Sequence, residues 1–256
     1  MSDQAILFDI GGVLMDGDRP LPGALETLAR LHEVGVPFLL LTNTTRRSHA
    51  ALWQDLAHAG IHVPATHLLT PASLASAWLR DHARHPYFLI HQGLRADFMD
   101  TPPAEADQQP DVVVIGDAGD DFSYRHLNMA FRAVMAGAPL ISLSDSRYFK
   151  EHDGLSLDAG PFVQLLTFAA GIQAISLGKP GAEFFREALA RLGMPAERVT
   201  MIGDDVVSDI QGAVAQGIQG ILVETGKYRA GDTARLPPGA RQAQDVRAAV
   251  DMLLSA

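Results

Sequence analysis

The sequence predicts an α/β fold built on a doubly wound parallel sheet, and three observations predict it. Short apolar runs alternate along the chain with amphipathic segments of about 10–15 residues, the rhythm of βαβ units. The runs lack the in-out alternation of a half-solvated strand, as expected of strands covered on both faces. Several end in Asp, Thr, Asn or Gly, so polar groups collect at the carboxyl edge of the sheet, where open α/β folds bind ligands.

Each element follows from local signals. Ile6-Leu7-Phe8 is a buried strand that delivers Asp9 into a Gly11-Gly12 turn. A loop continues to about Pro22, then a helix runs from Gly23 to Val34. Pro37 to Thr42 is a second strand; Ser48 to Ala59 is a helix stopped by Gly60. Thr70-Pro71 opens a helix through Arg80. Further strands are expected at Tyr87–His91, Val112–Ile115, Leu140–Leu143, Ala174–Ser176, Val199–Ile202 and Gly220–Val223, with helices between most of them. The polar, proline-bearing stretch Arg95 to Pro110 reads as a loop. Residues 79–176 carry their own strand–helix set, yet the strongest polar motifs lie outside them. The expected organisation is a core of residues 1–78 and 177–256 with a smaller α/β domain, 79–176, inserted.

Bulk properties narrow the function. The 256 residues suffice for one large or two modest domains, and the net charge of −10 argues against a nucleic-acid partner. An anionic ligand would need local positive potential from a divalent cation, a lysine or backbone N–H groups. The chain has no cysteine, which excludes disulfides, thiolate metal sites and a cysteine nucleophile and leans towards a reducing cytosol. The N-terminal residues have no basic region of a signal peptide, and no apolar stretch approaches the ~20 residues that span a bilayer. The expectation is a cytoplasmic protein without a membrane partner.

Four motifs stand at or near strand ends: Phe8-Asp9-Ile10-Gly11-Gly12; Leu41-Thr42-Asn43-Thr44; Gly178-Lys179-Pro180; and Ile202-Gly203-Asp204-Asp205 with Asp209 following. Singly each reads as a turn or cap. Their order and spacing together resemble the haloacid dehalogenase-like (HAD) superfamily, mostly phosphohydrolases, in the branch with a large α/β cap between the second and third motifs. Within it the chain is similar to the group acting on phospholysine, phosphohistidine and inorganic pyrophosphate. The closer match rests on Thr42-Asn43-Thr44-Thr45, Ala138-Pro139-Leu140-Ile141 leading to Arg147-Tyr148, Asp153-Gly154-Leu155, Gly160-Pro161-Phe162 and Thr225-Gly226-Lys227-Tyr228.

The resemblance implies a Rossmann-like core and roles for particular residues. Asp9 is the nucleophile that becomes an aspartyl-phosphate. Mg²⁺ is held by Asp9, the Gly11 carbonyl and Asp204, with Asp209 and Asp205 holding metal waters or Lys179. Thr42 and the Asn43 N–H bind the phosphoryl group, and Lys179 neutralises charge on Asp9 and phosphate. Asp145, Arg147, Tyr148 and Lys150 fall where family members carry a specificity loop; plain surface is the alternative. The substrate implied is a small phosphorylated molecule or phospho-amino acid, and homodimerisation through the cap is a further expectation.

Gly11 departs from the pattern. Typical phosphatases of the family have there a second Asp, which protonates the leaving group and then activates water. Such help is worth about 10²–10⁴-fold, so alkyl phosphates are expected to react slowly. Phosphoramidates, which leave as protonated nitrogen, and pyrophosphate, which leaves as phosphate, need little of it. The alternative is a non-catalytic Mg²⁺/phosphate-binding module that contacts partners; a metal-independent dehalogenase is disfavoured by the Asp204-Asp205…Asp209 set. Seven of the ten histidines lie between positions 49 and 91, including His58/His62 and His82/His85, and are read as surface residues. The Gly116-Asp117…Asp120-Asp121 cluster is read as a solvated loop or helix cap.

Overall fold

The computed structural model describes residues 3–82, 85–105, 108–150 and 154–255. The chain divides into two compact units, one of Met1–Thr42, Leu52–Leu69 and Lys179–Ala256, the other of Asn43–Ala51 and Thr70–Gly178.

The first unit is built on a six-stranded sheet with the spatial order Arg241–Ala243, Gln219–Val223, Val199–Gly203, Ala5–Asp9, Phe38–Leu41, Leu68–Leu69. All neighbours are parallel. The N-terminal and C-terminal segments of this unit therefore wind outwards from the centre in opposite directions. The order reverses between Ala5–Asp9 and Val199–Gly203, and a crevice opens at such a switch point. Registers pair Phe8 with Ile202 and Asp9 with Leu41. Asp9, Thr42 and Asp204 thus emerge at the same edge.

Burial holds this edge in place. Every residue of Ala5–Asp9 and Val199–Gly203 is buried. Ile6, Phe8 and Leu40 face a cluster completed by Ala24, Leu28 and Leu31 of the helix Ala24–Val34 and by Val246, Ala249, Val250 and Leu253 of the helix Val246–Leu254. Each large side chain so buried contributes about 1.5–3 kcal/mol. The loop expected before Pro22 contains a small hairpin, Met15–Asp16 with Arg19–Pro20.

The second unit has a four-stranded parallel sheet, in the order Ile175–Ser176, Leu140–Ser142, Val112–Ile115, Pro86–Leu89. Its strands are covered on both faces, which explains the run Val112-Val113-Val114-Ile115. Val113 and Ile115 pack with the helices Tyr124–Met135 and Gly160–Ala170. Val112 and Val114 pack with the helix Pro71–His82 and the 3₁₀ segment Gln92–Phe98. A separate antiparallel hairpin joins Tyr148–Lys150 to Leu155–Leu157.

The structure corrects several expectations. Residues 70–78 belong with the second unit, because Ala72, Ala75 and Leu79 bury against its sheet. Residues 43–51 do too: the Asp117 N–H donates to Thr45 Oγ1 at 3.1 Å, Arg46 pairs with Asp117, and the His49 N–H donates to Asp97. Asp117 is consequently buried and ion-paired rather than solvated, and the following helix is capped by Ser123. The expected Arg95–Pro110 loop begins within 3₁₀ structure that buries Leu94 and Phe98. Asp153 and the Lys150 side chain lie outside the described residues.

In the first unit the rings of His32 and His67 flank Phe38, with centroids 5.3 and 6.2 Å away. Among the described residues, His67 Nδ1 is buried without a hydrogen-bond partner. Burial, reinforced by His32, holds the His67 pKa below its ordinary value of 6.5. A depressed folded-state pKa means that the unfolded chain takes up the proton first. Stability owed to neutral His67 is therefore present above pH 6.5 and is lost as pH falls through the lower folded value. Denaturant midpoints of wild type and His67→Gln, measured at neutral and acidic pH, should show a smaller acid-induced drop in the variant; equal drops would contradict this.

Candidate active site

Backbone geometry at the switch point assembles the polar groups. Asp9 ends the central strand. Its neighbour Val199–Gly203 is followed by Asp204 and Asp205, then by a turn of π-helix over Val206–Gln211 that carries Asp209. Asp205 caps that turn, its carboxylate accepting from the N–H groups of Val207 and Ser208 at 2.9 and 3.0 Å. Asp209 folds back to accept from the Asp205 N–H at 3.2 Å. Gly203 makes room for it, since a Cβ there would lie 2.3 Å from the Cβ of Asp209.

Lys179 is the buried cation of the site. Its Nζ lies 2.5 Å from Asp9 Oδ1 and 2.7 Å from Asp209 Oδ1, and the residue is 2% exposed. Asp204 completes an acidic cluster: one oxygen each from Asp9, Asp204 and Asp209 lie within 4.8 Å of one another. Three buried carboxylates against one ammonium leave an excess of negative charge. Hard oxygens at this spacing suit a divalent cation.

Two glycines permit the approach. Gly12 has φ +78°, and a Cβ on it would sit 2.0 Å from Asp204 Oδ2 and 2.7 Å from the Cα of Gly226. Gly226, φ +63°, is equally constrained. Thr225 Oγ1 donates to the Gly12 carbonyl oxygen, and the Lys227 N–H donates to Asp204 Oδ2 at 2.7 Å. Gly11 differs from both, since a Cβ there would meet nothing within 4 Å.

Electrostatics follow from this crowding. Burial, then the charges of Asp9 and Asp209, push the Asp204 carboxyl up to about 8. Burial raises Asp209 too, against the opposing charge of Lys179. Burial alone would lower Lys179, but Asp209 and Asp9 outweigh it and hold the ammonium charged. Asp205 goes the other way: its backbone hydrogen bonds and nearby lysines overcome burial and lower its pKa. Lys227 is raised, burial being outweighed by Asp204, Asp9, Asp209 and Asp205.

The first unit thus brings together Asp9, Lys179, Asp204 and Asp209 of the predicted set. Thr42 is buried at the same edge, donating its N–H to the Leu69 carbonyl at 3.3 Å. Asn43, Arg147 and Tyr148 belong to the second unit. There Arg147 lies 5.7 Å from the Tyr148 ring centroid. Asp145 accepts from the Ser142 and Ser176 hydroxyls at 2.7 and 2.6 Å. Sequence reasoning gave Lys227 no role in the site and missed the part of Gly12 and Gly226. A Gly-Lys pair just beyond a strand end was the signal available.

Comparison with known proteins agrees with the geometry. A family model described as haloacid dehalogenase-like hydrolase matches residues 6–101, and a HAD-hydrolase-like model matches residues 176–249. The chain is 39% identical over 237 residues to the phospholysine phosphohistidine inorganic pyrophosphate phosphatase of Homo sapiens, covering 90% of this chain and 86% of that one. A p-nitrophenyl phosphatase from Archaeoglobus fulgidus shares the fold, with a TM-score of 0.88 at 22% identity over 97% of this chain and 98% of that one. A glycerol phosphate phosphatase from Mycobacterium tuberculosis, solved in complex with calcium, gives a TM-score of 0.81 at 25% identity, covering 96% and 74%. The chain belongs to the haloacid dehalogenase-like hydrolases. Within that family it is an enzyme of the phosphatase type.

Two outcomes test the site. Gly12→Ala should lower the denaturant midpoint and weaken divalent-cation binding by calorimetry, since its methyl group would strike Asp204 and the Gly226 backbone; unchanged stability and affinity would contradict the packing. Cation affinity of the wild type should also rise between about pH 6 and about pH 9, because a metal must displace the proton that Asp204 holds up to about 8. Titrations in buffers of different ionisation heat should show proton release at neutral pH, and a flat pH response would contradict it.

Proposed function

We propose that the protein is a Mg²⁺-dependent phosphohydrolase that works through an aspartyl-phosphate on Asp9 and favours phosphoramidate or pyrophosphate substrates. The observation that carries the reading is the Asp9–Lys179–Asp209 ion pair beside Asp204, with open space and no side chain at Gly11. The name of the human relative supports the substrate classes, phospholysine, phosphohistidine and pyrophosphate.

Asp9 attacks phosphorus, forming an O–P bond as the P–N or P–O bond to the leaving group breaks. Water then attacks the same phosphorus, returning Asp9 to its carboxylate and releasing phosphate. Lys179 orients Asp9 and offsets the charge of the incoming phosphoryl group. Thr42, at the same sheet edge as Asp9, holds the phosphoryl oxygens. Asp9, Asp204, Asp209 and the Gly11 carbonyl would hold Mg²⁺, which when bound would supply charge neutralisation for the transferring group. Phosphoryl transfer depends chiefly on such positioning and neutralisation.

Gly11 sets the preference. An alkoxide leaving group forgoes help worth about 3–5 kcal/mol of barrier, whereas a protonated nitrogen or a phosphate leaves without it. No helix among the described residues is long and apolar enough to cross a membrane, and the cysteine-free chain suits a cytoplasmic location. Phe168, 92% exposed, and Leu165 on the helix Gly160–Ala170 support homodimerisation through the second unit.

The test compares imidodiphosphate, phospholysine, pyrophosphate and p-nitrophenyl phosphate with and without Mg²⁺. Turnover should need Mg²⁺ and fall more than ~10³-fold in Asp9→Asn; activity surviving that change would overturn the phosphoenzyme, and none on any substrate would favour a binding module. Gly11→Asp should raise alkyl-phosphate hydrolysis by about tenfold or more, since the new side chain has room. An unchanged rate would mean that the missing acid is not the limitation.

A further inference from the structure

The loop Thr225–Lys227 follows the strand Gln219–Val223, which pairs with the strand that delivers Asp204. It is fixed at three points. Thr225 Oγ1 holds the Gly12 carbonyl, Gly226 is so close that its Cβ would lie 2.5 Å from the Gly12 Cα, and the Lys227 N–H is 2.7 Å from Asp204 Oδ2. Lys227 is thereby attached both to the backbone beside Gly11 and to the acidic cluster. It remains exposed, unlike Lys179, and its ammonium is attracted by Asp204, Asp9, Asp209 and Asp205. No step assigned above uses it.

Charge balance suggests its use. The four carboxylates are matched by a divalent cation and two lysines, so the loaded site is neutral before substrate arrives. A fifth carboxylate at position 11 would make it anionic; with glycine there, no net negative charge opposes the approach of an anion to Lys227. We infer that Lys227 is a specificity-determining residue that binds the second phosphoryl group of a diphosphate and matches its charge as it leaves. This rests on the phosphatase reading and extends it. When the bridging P–O bond breaks, its electron pair stays on the bridging oxygen, which departs as part of phosphate. Lys227 offsets that charge without giving up a proton. A nitrogen leaving group gains little from it, so Lys227 tips the site towards P–O–P bonds.

Binding of methylenediphosphonate, a diphosphate that is not hydrolysed at its bridge, separates this inference from turnover. With Mg²⁺ present, Lys227→Gln should weaken methylenediphosphonate binding by about tenfold or more and orthophosphate binding by less than about threefold. Lys227→Arg should restore most of the difference. The ratio of kcat/KM for pyrophosphate to that for phospholysine should fall in parallel in Lys227→Gln. Equal losses for the two ligands, or no loss for either, would overturn the inference. Asp9→Asn with residual turnover would instead overturn the phosphoenzyme, while the binding comparison still decides the part of Lys227.

Discussion

The buried contact of Lys179 with Asp9 and Asp209 is the constraint on which the site depends. Removing three carboxylates from water is costly, and one ammonium repays that cost only where the geometry lets it reach two of them. The parallel sheet supplies the geometry by ending two adjacent strands at the same level. Losing Lys179 would leave like charges buried together, a defect of about 3–5 kcal/mol for a single broken buried pair. The residual repulsion appears as the raised pKa of Asp204 and Asp209. A fold that optimised stability alone would not gather these groups, and the excess charge is what a divalent cation and a phosphoryl group can use.

Neighbouring glycines in the first turn have opposite meanings. Gly12 is demanded by the structure, because Asp204 and Gly226 occupy the space of its side chain and its φ is positive. Gly11 is demanded by nothing nearby, and in the proposed mechanism its bareness bears on chemistry rather than packing. On that reading the turn keeps the parts that hold charge and omits the part that would move a proton.

Much of this was legible in the sequence. Asp9, Lys179, Asp204 and Asp209 stood out as polar groups near the ends of apolar strands, but singly each read as a turn or cap, and their roles came from the resemblance that the four motifs carry together. The short strands Leu68–Leu69 and Arg241–Ala243 could not be read, since two or three residues carry no period and the last is mostly polar. The limits of the second unit were misplaced because Ala72, Ala75 and Leu79 show which helix face is buried, not which sheet buries it. Nor did Asp117 announce its partner, an arginine 71 positions earlier. Lys227 depends on contact between two loops more than 200 residues apart, Thr225 with Gly12, which no local pattern encodes.

The central claim is that phosphoryl transfer to Asp9 proceeds without a protein acid. Its most direct measurement is the rate of phosphoenzyme formation across aryl phosphates whose phenols differ in pKa. Without a proton donor, charge accumulates fully on the departing oxygen, and the rate should fall steeply as the phenol pKa rises. A rate nearly independent of that pKa would show that a proton is being supplied, and would contradict the role given to Gly11.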